Sequence, residues 1–136
     1  MFLASLNEKE KEVFMALAIY AAEANNEIDE HEKAMMDAYC REMGISQPDA
    51  AARPSLDELL EWTAKNASPS VKRIFMLELL GIVLSDDAYD IEEREFIRKV
   101  SERIGVDSRI VAELYEQLKS YKRMVERLAQ MVHGTD

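Results

Sequence analysis

Shifted by 61 residues, the sequence falls on itself: residues 14–45 lie over 75–106, with Phe14 on Phe75, Met15 on Met76, Asp29 on Asp90, Glu32 on Glu93 and Gly44 on Gly105. Each unit reads as an apolar helix, a short polar break, a D-x-x-E start, an amphipathic helix and a closing glycine. Two such units are too few to stack into a solenoid. A pair of helical hairpins can instead bury their apolar faces against each other, with further helices covering the rest. The expected fold is all-α: a compact bundle of about six or seven helices with a pseudo-two-fold repeat, in a single domain over residues 1–136.

Caps and apolar spacing place the helices. Asn7 and Glu10 have the spacing of a capping box, and the helix they open runs to about Ala24 with Phe14, Leu17, Ala18 and Ala21 on one face. Asp29 and Glu32 open a second helix with an inward stripe of Met35, Met36, Tyr39, Cys40 and Met43, closed by Gly44. Residues 46–54, with Pro48 and Pro54, form a loop before a modest helix over 55–65 that carries Leu59, Leu60 and Trp62. Ser68-Pro69 starts the most apolar helix, to about Ser85, which is expected to be the central one. A fifth helix spans about 90–104 and ends at Gly105. The last, capped by Asp107, reaches about Val132; its stripe is Ile110, Val111, Leu114, Leu118, Tyr121, Met124, Val125, Leu128 and Met131, with a bend allowed at Ser120. With only four glycines and three prolines in 136 residues, few positions interrupt this pattern.

Acids outnumber bases by 27 to 17, for a net charge of -10, so phosphate backbones are repelled and nucleic acid is not an expected partner. The single cysteine, Cys40, excludes a disulfide framework and a multi-cysteine zinc site. The longest apolar stretch, around Ile74 to Leu84, is broken by Glu78 and too short to span a bilayer, so no direct membrane insertion is expected. The first residues lack the basic region of a secretory leader, and a cytoplasmic protein is expected.

The acids concentrate at the same place in both units. Glu23, Glu27, Asp29, Glu30 and Glu32 fall within ten residues that contain no lysine or arginine; Asp86, Asp87, Asp90, Glu92, Glu93 and Glu95 are offset only by Arg94. Three roles fit such clusters. Asp29 with Glu32, and Asp90 with Glu93, satisfy helix-start donors and favour the positive end of the helix dipole. Glu32, Asp86, Asp90 and Glu93 can supply hard oxygen ligands to calcium or magnesium. Asn25, Glu27, Asp29, Glu32, Asp86, Asp87, Asp90 and Glu93 can also form an acidic surface for a protein partner. An EF-hand is excluded: from Asn25, the sixth and twelfth positions are Glu30 and Met36, and from Asp86 they are Ile91 and Ile97, where glycine and glutamate are required.

No catalytic constellation is present, and an enzyme is not expected. His31 precedes Glu32, but Met35 stands where H-E-x-x-H needs its second histidine, so His31 reads as an exposed first-turn residue. Cys40 lies on an apolar stripe and reads as a buried thiol. The methionines, Met124 and Met131 among them, fall mostly at core-like spacing. Trp62, beside the 46–54 loop, is a candidate interface residue. Lys119, Lys122, Arg123 and Arg127 make the last helix locally basic, and His133 falls near its end.

The segment Ala21-Ala22-Glu23-Ala24-Asn25-Asn26-Glu27-Ile28-Asp29-Glu30-His31-Glu32 resembles the A-x-A-D-G-x-I-x-x-x-E signature of the TerB-like family of tellurite resistance proteins. Ile82 to Glu93 is similar to the second copy, and the resemblance covers about residues 8–132. The family's acidic positions fall on Asp86, Glu32 and Glu93; Asn25 replaces the first aspartate, and Asn26 and Asp87 replace the glycines. Asparagine and aspartate tolerate left-handed backbone, which preserves the turn, whereas the lost charge at Asn25 weakens a symmetric metal site. The resemblance implies an all-α, non-catalytic cytoplasmic domain linked to tellurite or envelope stress and to complexes with membrane proteins. Two functions are therefore expected in competition: an adaptor or stress-response domain with a protein partner, and a weak calcium- or magnesium-binding protein.

Overall fold

The computed structural model of the chain describes residues 1–24, 28–84 and 89–134. Six α-helices follow one another: α1 (Glu8–Ala22), α2 (Glu30–Met43), α3 (Leu56–Asn66), α4 (Pro69–Val83), α5 (Ile91–Ile104) and α6 (Ser108–His133). Single 3-10 turns lie at Leu3–Ser5 and Ala50–Ala52, the second inside the loop expected at 46–54, and no strand occurs among the described residues. The all-α bundle is the fold that the pattern of caps and apolar spacing called for.

Each helix begins where the sequence offers a side-chain acceptor. The Asn7 side chain accepts from the Glu10 amide at 2.8 Å, while the Glu10 carboxylate accepts from the Asn7 amide at 2.8 Å. Ser55 and Ser68 cap α3 and α4, with Pro69 in the first turn of α4, where its missing donor costs no hydrogen bond. Both α2 and α5 have 14 residues, and each ends on a glycine in left-handed backbone, Gly44 at φ 69° and Gly105 at φ 87°. A side chain with a Cβ is disfavoured there, which stops both helices at the same relative position.

α1 and α4 form the centre. Val13 through Ile19 are buried without interruption, together with Ala21 and Ala22, so α1 is enclosed well beyond the single face that its spacing indicated. The reason is that α2, α3, α4 and α5 all pack against it. α4 buries Phe75, Met76, Leu79, Leu80, Ile82 and Val83 and packs on α1, α5 and α6, the central place expected of it. Phe14 of α1 meets Phe75 of α4 and Tyr39 of α2, with ring centroids 5.5 and 5.6 Å apart. α1 packs on α2 as α4 packs on α5, while α3 covers α1 and α5.

A polar cluster around Glu78 is built into this core. The Tyr39 hydroxyl donates to the Glu78 carbonyl at 2.9 Å, passing so close to Gly81 that a Cβ there would stand 3.0 Å from it. The buried Glu78 carboxylate accepts from the Phe2 amide at 3.0 Å and the Met1 amine at 2.7 Å, and Glu42 accepts from the Leu3 amide at 2.9 Å. These bonds tie the first 3-10 turn onto α2 and α4 and remove the penalty of burying a charge unpaired.

α6 departs from the expected stripe. Ile110, Val111, Leu114, Tyr115 and Leu118 pack half-buried against the core, but Tyr121, Met124, Val125, Leu128 and Met131 are exposed, as is every described residue beyond Lys122. Met124 and Met131, at 62% and 71% exposure, are not core residues despite their spacing. α6 has 26 residues and α4, on which it lies, has 15. At 1.5 Å per residue the longer helix outreaches the shorter by about 16 Å. It runs unbroken through Ser120.

Replacing Phe75 by alanine removes the ring shared by α1 and α4. Unfolding in urea is expected to show a loss of about 3–5 kcal/mol, and a loss below about 1 kcal/mol would place the centre of the core elsewhere.

Candidate functional site

The acidic positions of both units resolve into two matched capping boxes. Asp29 Oδ1 accepts from the Glu32 amide at 2.8 Å, and Glu32 Oε1 accepts from the Asp29 amide at 3.0 Å. At the second start, Asp90 Oδ1 accepts from the Glu93 amide at 2.9 Å, and Glu93 Oε1 accepts from the Asp90 amide at 3.1 Å. Glu32 and Glu93 are each only 1% exposed. The cap folds each carboxylate back over its helix start, and Ile28 and Tyr89 pack on the core just ahead of the caps. The face turned outward is therefore carried by the first-turn residues Glu30 and Glu92, both exposed, with half-buried Asp29 and Asp90 behind them. The acidic positions Asn25, Glu27, Asp86 and Asp87 lie outside the described residues.

The second start is clamped more firmly than the first. Tyr89 stacks on Tyr115 of α6 with centroids 5.3 Å apart; Arg94 covers the outer face of Tyr89 at 4.8 Å, and Lys119 covers Tyr115 at 4.9 Å. Arg94 also donates to the Tyr89 carbonyl at 3.0 Å. Burial pushes the Tyr89 hydroxyl up from its ordinary pKa, against the opposing effect of Arg94. At the first start, the aliphatic Ile28 occupies the same slot.

The fold also changes the charge of the first cluster. No base lies near Glu23 in sequence, yet Arg53 reaches it from the 45–55 loop and forms an ion pair with it. The Arg53 guanidinium lies over the Tyr20 ring at 4.1 Å, while the Tyr20 hydroxyl donates to the Pro54 carbonyl at 2.9 Å. Glu23 therefore anchors the loop rather than adding to an open acidic face. Glu30 has Lys33 at 3.7 Å, and Glu95 pairs with Arg98 at 2.7 Å.

Among the described residues, no three histidine, cysteine or acidic side chains come together as a metal site requires. Of the four candidate ligands, Glu32, Asp90 and Glu93 are described, each with one carboxylate oxygen engaged in a cap; Asp86 lies outside the described residues. His31 is exposed, as its first-turn position implied. Cys40 is buried, and burial, reinforced by Asp37, pushes its thiol up, which disfavours the thiolate. Trp62 is half-buried against the core with Lys9 6.0 Å over its ring, which leaves only part of the indole to solvent. No described helix is long and apolar enough to cross a membrane.

One feature had no signal in any local motif. A groove of about 570 Å³ runs between α2, α4 and α6, with Ala34, Ala38 and Gly81 among its lining residues and Tyr121 and Val125 on the α6 side. It exists because α6 continues past the core, which only the packing reveals.

These observations define an all-α bundle with two stapled, acid-capped helix starts. No family model and no curated protein matches the chain. Among solved structures, it is similar to the crystal structure of a tellurite resistance protein from Nostoc punctiforme PCC 73102, with a TM-score of 0.67 over 96% of this chain and 84% of that one, at 21% sequence identity. The likeness is one of fold, and it is the fold that the resemblance to TerB-like proteins implied.

Replacing Asp29 or Asp90 by alanine removes one acceptor and opens one box. Each substitution is expected to cost about 1 kcal/mol in urea unfolding, with near-additive loss in the double variant. A neutral effect at either position would show that the box does not hold that helix start.

Proposed function

We propose that the chain is a non-catalytic cytoplasmic adaptor or stress-response domain whose two acidic helix starts receive a basic surface of a protein partner. The observation that carries this is the matched pair of capping boxes. They fix both starts in one geometry and leave Glu30 and Glu92 exposed on the first turns, where a partner's lysines and arginines can reach them. The fold shared with a tellurite resistance protein supports a tellurite or envelope-stress setting. A membrane-associated complex is the kind of partner that the family resemblance implies.

Affinity capture from the source cell tests this. The double variant Glu30→Lys/Glu92→Lys alters the outward charge and spares both caps. It is expected to retain a specific partner about tenfold less well than the unaltered chain while melting at the same temperature. Capture of no specific partner, or equal retention by the variant, would reject the adaptor.

A second reading, weak calcium or magnesium binding, is favoured by the burial of the Glu32 and Glu93 carboxylates beside the turns. Titration of the chain with each ion, followed by backbone NMR, is then expected to shift amides confined to residues 25–32 and 86–93. Shifts spread over the surface, or none at about millimolar ion, would exclude a discrete site.

A further inference from the structure

Between α2 and α3 the chain faces α1 across a hollow of about 620 Å³. The hollow is lined on the bundle side by Val13, Met15 and Ala16 of α1 and Leu59 of α3, all buried. On the other side the loop contributes Pro48 and Pro54, both exposed. A loop settled permanently on such a floor would press apolar side chains into it. Here, of residues 46–49 and 51–54, only Arg53 is not exposed, so the inward anchor is a charge. The Arg53 guanidinium lies over the Tyr20 ring at 4.1 Å and pairs with Glu23, while the Tyr20 hydroxyl donates to the Pro54 carbonyl at 2.9 Å. At the other end of the loop, Gln47 donates to Asp37 at 2.6 Å on the exposed surface.

An anchor of this kind holds the loop down and yet releases it readily. The Glu23 side chain is 39% exposed, so water and other cations reach the carboxylate that Arg53 holds. Arg53 Nη1 is buried and finds no hydrogen-bond acceptor among the described residues, a desolvation penalty on the closed form that water removes on opening. We propose that residues 46–54 are a strap latched by Arg53 on Tyr20 and Glu23, and that an arginine- or lysine-rich segment opens it by taking the place of Arg53 on Glu23. The Tyr20 ring beside Glu23 offers the incoming cation the same face that it offers Arg53. Opening returns Glu23 to the acidic segment that follows α1 and uncovers the apolar floor of the hollow. The closed latch is thus an autoinhibitory contact, made by a base of the chain itself. It goes beyond the adaptor reading, which uses Glu30 and Glu92.

Thermolysin cleavage within residues 46–54 of the folded chain reads the open strap. Arg53→Ala and, separately, Glu23→Gln are expected to be cut there about fivefold or more faster than the unaltered chain, with unchanged helical circular dichroism. Glu23→Arg sets two cations together and is expected to be cut faster still, whereas the exchanged pair Glu23→Arg/Arg53→Glu restores slower cutting. A tetra-arginine peptide is expected to speed cleavage of the unaltered chain and to leave that of Arg53→Ala unchanged. Equal cleavage of Arg53→Ala and the unaltered chain overturns the latch, as does an exchanged pair cut as fast as Glu23→Arg. Cleavage of the unaltered chain that is indifferent to the peptide overturns its opening by a basic segment. None of these variants touches Glu30 or Glu92, so failure here leaves the adaptor reading standing.

Discussion

The packing of α1 against α4 carries everything else in the molecule, because both helices are too apolar to tolerate water on more than a narrow strip. Phe14 and Phe75 meet at its centre, and Tyr39 brings α2 into the same aromatic contact. Once those two helices are joined, the remaining ones have defined places: α2 and α3 on α1, α6 on α4, and α5 against both. Burial of this kind is nondirectional. Direction comes from Tyr39 and Glu78, whose hydrogen bonds fix how α2, α4 and the first residues sit relative to one another.

The acidic helix starts are held by that core rather than added to its surface. Ile28 and Tyr89 press each start inward, and the caps then bring Glu32 and Glu93 under cover. A carboxylate that satisfies an amide inside a fold is structural before it is anything else. What is left for recognition is the outer ring of acids, already thinned by Arg53 on Glu23 and Arg98 on Glu95. The function proposed for the chain therefore rests on fewer charges than the clusters in the sequence suggested, but on charges held at fixed places.

Local chemistry was readable in advance. D-x-x-E at residues 29 and 90, and the glycines at 44 and 105, need only their own helix to act, and the structure has them as caps and stops. The apolar run of α4 likewise announced a central helix. The long-range features were not readable. Glu78 interrupts that run in sequence, yet it is buried because amides of the first residues reach it from 76 positions away. Arg53 on Glu23 is invisible in any window short enough to show a motif. The stripe of α6 looked like a buried face because apolar spacing reports that a helix has a partner without saying where the partner is. Half of that stripe has its partner within the fold.

Native-state hydrogen exchange measures the central dependence most directly. With α1 and α4 as the core that places the rest, amides in the middle of both helices are expected to exchange only through global unfolding and at a common free energy. The amides of Glu32 and Glu93 should be protected to a lesser but similar degree, and those of α6 beyond Lys122 least in dilute solution. Exchange of α1 or α4 through separate local openings, as fast as the end of α6, would contradict it.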